Sequence, residues 1–288
     1  MEQVLPRHAL GHTIAAVVPV GGGCINNGAR VATDSGAALF LKWNDVAPAG
    51  MFEAEADGLA ALAAATPLRV PEPVACGGAA NGAAWLLMEY IAPGRSHVET
   101  EQTLGRGLAA MHTRATDGGF GWERDNWIGA LDQRNGTSDR WADFWRVSRI
   151  EPQLELARRH GRARDATFDR VVDAIPEALA DVERPELVHG DLWGGNWFPS
   201  DEGQPVLIDP AVYRGHGEVD LAMSELFGGF GRGFYDAYDE VRTIDRAYHA
   251  YRKALYQLYY LLVHVNLFGG AYEAGSLQAA RRVLRELG

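Results

Sequence analysis

The first ninety residues read as short extended runs broken by turns. Ile14–Val20 is apolar until Gly21-Gly22-Gly23 interrupts it, and 29–33 and 37–43 resume the pattern across Asp34-Ser35-Gly36. Residues 51–65 change period. Ala, Leu and Glu dominate, Leu59 and Leu62 stand three apart, and the spacing predicts a helix that stops before Pro67. Extended chain is predicted again at 70–74 and 85–91. The order is strand, glycine turn, strand, strand, helix, strand, strand.

Beyond Ala92-Pro93-Gly94 helical periodicity takes over. Helices are predicted at 100–112, 141–160, 166–181 (with Pro176 as a local break), 217–227, 232–240, 244–267 and 276–286. Residues 117–140 read as irregular and rich in aromatics, among them Phe120, Trp122 and Trp127. A short strand at 205–208 is approached from Asn196 through the turn Asp201-Glu202-Gly203. No internal repeat or low-complexity tract appears. The pattern predicts an α+β chain of two lobes: a small antiparallel sheet with one helix over 1–90, and a larger, mostly helical lobe over 91–288.

Composition narrows the classes. The 288 residues, 47% hydrophobic and 23% charged, suffice for a sizeable core without staples. Lys plus Arg total 27 against 38 Asp plus Glu, a net charge of −11, which argues against a general nucleic-acid binder with a basic face. Two cysteines, Cys24 and Cys76, exclude a disulfide scaffold and a four-cysteine zinc site. The amino terminus lacks a basic stretch before its apolar run, and the apolar segment 258–268 is short and interrupted by His264 and Asn266. The expectation is a cytoplasmic protein that engages neither membrane nor nucleic acid.

The strongest local signal is His189-Gly190-Asp191-Leu192-Trp193-Gly194-Gly195-Asn196, which contains H-x-D-x-x-x-x-N. In phosphoryl-transfer enzymes such a loop sets an Asp at the acceptor hydroxyl and an Asn on a magnesium ion. Asp209 follows an apolar strand in Leu207-Ile208-Asp209-Pro210, where a carboxylate is placed as a second ligand. Either Asp alone reads equally well as a turn residue; order and spacing together favour catalysis. Lys42, between Leu41 and Trp43, sits on a strand, and Glu55 lies on the next helix. In kinases such a pair positions the lysine on the α- and β-phosphates. Glu53 is a rival, but Glu55 shares spacing with Leu59 and Leu62 on the buried face. Taken alone, Lys42 is an ordinary solvated lysine.

Gly21 to Gly28 joins two strands, and its glycines suit close approach to phosphates. It is no Walker A loop, because Ala29-Arg30 replaces Lys-Ser/Thr, and no dinucleotide fingerprint, because Asn26 stands where the last glycine belongs. Met88-Glu89-Tyr90 ends the last strand of the sheet lobe, and its backbone is the candidate adenine contact; a plain strand end is the alternative.

These residues resemble the fructosamine kinases (ketosamine 3-kinases), relatives of the aminoglycoside phosphotransferases with a protein-kinase-like fold. The specific pieces are Gly21 to Cys24, Met51-Phe52-Glu53-Ala54-Glu55, the loop 189–196 with Trp193 inside it, Asp209-Pro210, Gly215-His216-Gly217-Glu218-Val219-Asp220-Leu221-Ala222 and Phe227-Gly228-Gly229-Phe230. The stretch 120–127 with Gln133 and Asn135, and the stretch 264–269, look like the bacterial branch. The resemblance covers nearly the whole chain. It implies ATP- and Mg²⁺-dependent phosphorylation of a sugar hydroxyl, at the third carbon, of a ketoamine that is either a small molecule or protein-linked. The phosphorylated product can release the free amine, which amounts to deglycation. Another small-molecule kinase of the aminoglycoside or choline type is the alternative.

The implied roles are Asp191 as general base, Lys42 and Glu55 on the phosphates with Gly21, Gly22 and Gly23, Met88 to Tyr90 on adenine, and Asn196 and Asp209 on the metal. Pro210-Ala211 follows Asp209 instead of Phe-Gly, which gives no reason to expect an activation loop. Trp193, Trp127 and His216 are candidates for the acceptor, with core packing or loop bracing as the alternative for each. Asp220 is expected to brace the backbone of the catalytic loop. Cys24, in the glycine loop, is a candidate redox site, or a small buried apolar residue. A monomer or homodimer is expected.

Overall fold

The computed structural model describes residues 14–21, 26–78, 82–114 and 116–288. Five antiparallel strands open the chain: β1 (Ile14–Val20), β2 (Asn27–Thr33), β3 (Ala38–Asn44), β4 (Pro73–Gly78) and β5 (Ala84–Glu89), in the sheet order β1-β2-β3-β5-β4. Helix α1 (Met51–Ala65) connects β3 to β4. β4 begins at Pro73, three residues later than the expected start at 70: Pro71 has no N–H to give to a ladder, and Pro73 stands at the first strand position, where proline is tolerated. Side chains alternate across the sheet. Val31, Leu41, Trp85 and Leu87 pack together in a small core of their own, and Lys42, next in sequence to Leu41, is buried on the other face.

The remainder is largely helical. Helix α2 (Val98–Thr113) leads to a hairpin, β6 (Asn126–Ile128) and β7 (Leu131–Gln133), inside the stretch expected to be irregular. Next come α3 (Trp141–Phe144), α4 (Glu151–Arg159) and α5 (Thr167–Ala178). A π-helical turn, Trp145–Ile150, joins α3 to α4, so 141–160 is one helical run, as its periodicity predicts. Pro176 does not break α5. It sits in the last turn, and the helix continues to Ala178. Four short strands follow, β8 (Glu186–Val188), β9 (Trp197–Pro199), β10 (Pro205–Leu207) and β11 (Tyr213–Gly215), pairing as β8 with β11 and β9 with β10. The chain closes with α6 (Glu218–Leu226), α7 (Arg232–Val241), α8 (Lys253–Phe268) and α9 (Glu273–Leu287). A second π turn, Tyr248–Arg252, leads into α8, so 246–268 is one helical run, close to the predicted 244–267.

Aromatic residues dominate the helical core. The Trp141 ring lies 5.2 Å from that of Trp145, and Trp145 meets Tyr256 edge-on at 5.0 Å and Tyr259 at 5.5 Å. Buried hydroxyls find partners there: Tyr260 Oη donates to the Gly190 carbonyl at 2.7 Å, and Tyr259 Oη donates to Gln133 Oε1 at 2.8 Å. The core thus reaches directly beneath the loop that carries Asp191. Helices α2 and α7 approach closely. A side chain at Gly105 would lie 2.2 Å from the Phe234 carbonyl oxygen, so only glycine fits.

Candidate active site

A cleft of about 460 Å³ is lined by β1, β3, α1, the end of β5, the hairpin β6–β7 and the stretches around Asp191 and Asp209. Phe52, Glu55, Leu59 and Leu62 form one buried stripe of α1, at helical spacing. That stripe delivers Glu55 to Lys42, whose Nζ donates to both carboxylate oxygens at 2.7 and 2.9 Å. Glu53, on a different face, is only half-buried. Lys42 Nζ also donates to Asp209 Oδ1 at 2.9 Å, joining the sheet to a residue 167 positions away. Burial alone would pull the Lys42 ammonium down, but the carboxylates of Asp209 and Glu55 outweigh it and hold it above the ordinary lysine range.

The loop 189–196 is bound from below. Asp220, on α6, accepts from the His189 N–H at 2.7 Å and the Gly190 N–H at 2.9 Å, and from the far side it meets His112 Nε2 at 3.1 Å. Gly190 has φ +82°, and a side chain there would strike the Ala211 carbonyl at 2.1 Å. Asn196 Nδ2 donates to the Asp191 carbonyl at 2.8 Å and to Asp191 Oδ2 at 3.0 Å. Asp209 has φ +54° and precedes Pro210, a left-handed geometry that costs a non-glycine residue roughly 1–2 kcal/mol. The His189 ring bonds the Ile208 carbonyl at 2.9 Å, and the Ala211 N–H bonds the His189 carbonyl at 2.9 Å, pinning the backbone on both sides of the strained residue. Burial pushes the Asp191 carboxyl up to about 7, against the lowering effect of the Asn196 hydrogen bond, with the charges of Asp209 and Asp220 adding to the rise.

This donor set suits a hard cation. The Asn196 amide nitrogen is committed to Asp191, which leaves its Oδ1 as the acceptor end. Asp209 keeps a side chain 43% exposed while one of its oxygens holds Lys42. An amide oxygen and a carboxylate beside space for phosphate match the few protein ligands that Mg²⁺ takes. Among the described residues, no three His, Cys, Asp or Glu side chains gather into a metal cluster of their own.

A family model described as fructosamine kinase matches residues 2–286. The chain belongs to the fructosamine kinase family. It is 44% identical over 268 residues to a probable ketoamine kinase of Synechocystis sp., covering 92% of this chain and 89% of that protein. It is 39% identical over 281 residues to the chloroplastic protein-ribulosamine 3-kinase of Arabidopsis thaliana, covering 95% and 84%. A crystal structure from Thermobifida fusca, provisionally named fructosamine-3-kinase, superposes with a TM-score of 0.85 at 36% identity, covering 97% and 96%. The architecture is kinase-like, as its sheet, helices and loop order predict, and membership of a kinase family implies ATP use.

In this fructosamine kinase family member the nucleotide-side candidates converge. Gly21, Lys42, Glu55, Met88, Glu89, Tyr90, Asp191, Asn196 and Asp209 all line the one cleft. Gly22, Gly23 and Cys24 lie outside the described residues. Tyr90 is capped by the Arg30 guanidinium 5.2 Å from its ring, and the Glu89 side chain pairs with Arg69. Of the candidates for the acceptor, Trp193 and Trp127 line the cleft, but His216 does not. It is buried beside Tyr256 Oη at 2.8 Å, with Glu218 at 3.7 Å, in the packing between β11 and α6. The acceptor candidacy of His216 is therefore corrected: as the residue closing a buried turn it braces the fold. Among the described residues no helix is long and apolar enough to cross a membrane.

Sequence reasoning missed the supports of this site. His112, fully buried, lies between Tyr238 Oη at 2.9 Å and Asp220. Asn126 and Gln133 donate to the Val212 and Ala211 carbonyls at 2.9 and 3.1 Å, fixing the hairpin to the segment after Asp209. Arg149, from the first π turn, donates to Asn135 Oδ1 at 2.7 Å and lies 4.0 Å from the Tyr213 ring centroid. Gln133 and Asn135 carry part of the family resemblance, but with Asn126 they have the composition of an exposed loop, and nothing local marks them as buried supports.

Proposed function

We propose that this protein is an ATP-dependent kinase that transfers the γ-phosphoryl group to the O3 hydroxyl of a ketoamine, with deglycation as the outcome. The carrying observation is the continuous chain of polar contacts from Glu55 through Lys42 to Asp209, facing Asp191 and Asn196 across one cleft. Residues 1–90 would hold the nucleotide, with Gly21, Gly22, Gly23 and Lys42 on its phosphates and Met88, Glu89 and Tyr90 on adenine. Residues 91–288 would supply the base and the acceptor surface. The apolar lining from Met51, Ala54, Ile91, Phe198 and Ile208 suits a flat purine.

The chemistry then follows from the residues. Lys42, kept charged by its two carboxylates, binds the α- and β-phosphates. Asp191 orients the sugar hydroxyl and accepts its proton as the new O–P bond forms and ADP leaves. Asn196 holds the Asp191 carboxylate by one hydrogen bond and, with Asp209, would hold Mg²⁺. Bound there, the ion would supply positive charge against the transferring phosphoryl group. The relatives named for ketoamine and ribulosamine substrates support the acceptor class.

The test is turnover of ATP by the purified protein with the fructose and ribose adducts of lysine, free sugars, an aminoglycoside and choline. Products are read by mass spectrometry and phosphorus NMR. Phosphate appearing on a ketoamine, followed by free lysine, is the expected result. Phosphorylation of the aminoglycoside or choline with inert ketoamines overturns the reading.

A further inference from the structure

Outside the residues assigned to catalysis, a second aromatic surface borders the catalytic loop. Phe227 closes α6, His264 and Phe268 lie one turn apart at the end of α8, and Tyr272 precedes α9. Their rings form one cluster. Phe227 and His264 centroids are 4.5 Å apart, His264 and Tyr272 are 5.0 Å apart, and His264 and Phe268 are 5.3 Å apart. Interior clusters are closed to water, but here Phe227 is 40% and Phe268 59% exposed. Two exposed aromatic rings that share contacts with His264 and Tyr272 make a contiguous apolar patch of the kind that marks binding sites.

The surface lies beyond the residues that line the cleft, against the catalytic loop. Directly after Phe227 the chain turns through Gly228 and Gly229, at φ +77° and +98°. A side chain at Gly229 would lie 2.8 Å from the Cα of Gly194, in the loop between Trp193 and Asn196. The aromatic surface is thus joined to the catalytic loop by a backbone-to-backbone contact that only glycine permits. His264 Nδ1 is taken by the Tyr260 carbonyl at 2.8 Å, and Tyr260 itself holds Gly190. The floor of the cluster and the loop carrying Asp191 therefore rest on the same helix.

We propose that Phe227, Phe268 and Tyr272, over His264, form the subsite for the substituent carried by the amine nitrogen of the acceptor. The favoured occupant is an extended methylene arm, as on the ε-nitrogen of lysine. This rests on the ketoamine reading above and deepens it: Asp191 reads the sugar, and the aromatic shelf reads what the sugar is attached to. Ring faces suit a methylene chain by area burial and a nearby protonated amine by cation–π attraction. A flexible arm needs no hydrogen bond there. This fits a cluster whose named polar contact, at His264 Nδ1, points back into the fold.

The experiment holds the sugar constant and varies the arm. The methylamine and hexylamine adducts of fructose and the fructose adduct of Nα-acetyl-lysine are compared as substrates of wild type, Phe268→Ala, Phe268→Leu and Phe227→Ala. Wild type is expected to favour the two long-armed adducts over the methylamine adduct by roughly tenfold or more in kcat/KM, chiefly through KM. Each alanine variant should shrink that ratio several-fold, and Phe268→Leu, which keeps apolar area, should restore part of it. A wild-type ratio near one, or a ratio the alanine variants leave intact, overturns the subsite while phosphorylation of all three adducts upholds the kinase reading. Failure of wild type to phosphorylate any of the adducts overturns both.

Discussion

The two sides of the cleft are built from different interactions. On the nucleotide side, Lys42 and Glu55 are buried, charged and locked by three hydrogen bonds under 3 Å. On the side proposed for the acceptor, Trp193 and Trp127 present half-buried rings to the cleft, and the proposed Phe227 shelf lies beyond its lining, partly open to water. A triphosphate is the same in every turnover, so its site can be preorganised, with the desolvation of buried charge offset by permanent partners. On the ketoamine reading the amine substituent of the acceptor can vary, and ring faces tolerate variation where a fixed array of donors would not. Rigidity on one side and adaptable surface on the other give sharp predictions about which substitutions cost most.

The largest effect belongs to the residue standing between the two sides. Asp191→Asn should lower kcat by about 10²–10⁴-fold while ATP still binds, checked by turnover and by nucleotide titration. Near-normal turnover in a folded variant removes Asp191 as the base. Glu55→Gln comes next. It leaves Lys42 with Asp209 as its carboxylate partner, and a misplaced lysine should cost up to roughly 10²-fold in kcat/KM for ATP. The matched Glu53→Gln should fall within about 0.5 kcal/mol of wild type in stability and leave ATP kinetics alone, because that side chain lies off the buried stripe. Equal effects of the two substitutions would dissolve the distinction between them.

The raised carboxyl of Asp191 predicts a pH signature for the residue between the two sides. With its pKa near 7, the base is protonated below that pH. kcat/KM for the acceptor should therefore fall toward tenfold per pH unit on the acid side of about 7. Bound Mg²⁺ would counter the Asp209 charge that helps raise this pKa, so in the Mg²⁺- and ATP-loaded enzyme the limb should lie on the acid side of that value. Stability runs the same way. A carboxyl raised on folding favours the native state fully below the unfolded value near 4 and loses that contribution as pH rises through about 7. Asp191→Asn should thus melt above wild type at pH 8, with the gap closing toward pH 4.

The sequence was most legible where chemistry is written in local spacing. Glu55 follows from its place with Leu59 and Leu62 in a 3.6-residue period, and the loop 189–196 from the five-residue interval between Asp191 and Asn196. α1 matches its predicted bounds because its apolar stripe is unbroken and Thr66-Pro67 ends it. Long-range pairing was illegible. The contact of Lys42 with Asp209 spans 167 residues, and no local period announces the hairpin that carries Trp127, since its strands are three residues each. His216 misled for a related reason: Gly-His-Gly looks like an exposed functional turn, whereas pairing of β11 with β8 draws it into the core.

The smallest expected effect concerns Trp127 and tests how adaptable the acceptor side is. Its indole Nε1 is buried with no hydrogen-bond partner among the described residues. Its ring lies at the amino end of α1, 3.7 Å from where a side chain at Gly50 would begin, and Arg124 bonds Asp57 on that helix at 2.5 Å. The hairpin thus touches both the acceptor space and the helix that bears Glu55. If Trp127 acts as an apolar wall, Trp127→Phe keeps the wall, relieves an unpaired buried donor, and should change KM for the acceptor by no more than about threefold. Trp127→Ala should then raise that KM roughly tenfold with KM for ATP nearly constant. A large loss in the phenylalanine variant would mean that the N–H finds its partner on the substrate, and this part of the acceptor side would belong with the rigid half of the molecule.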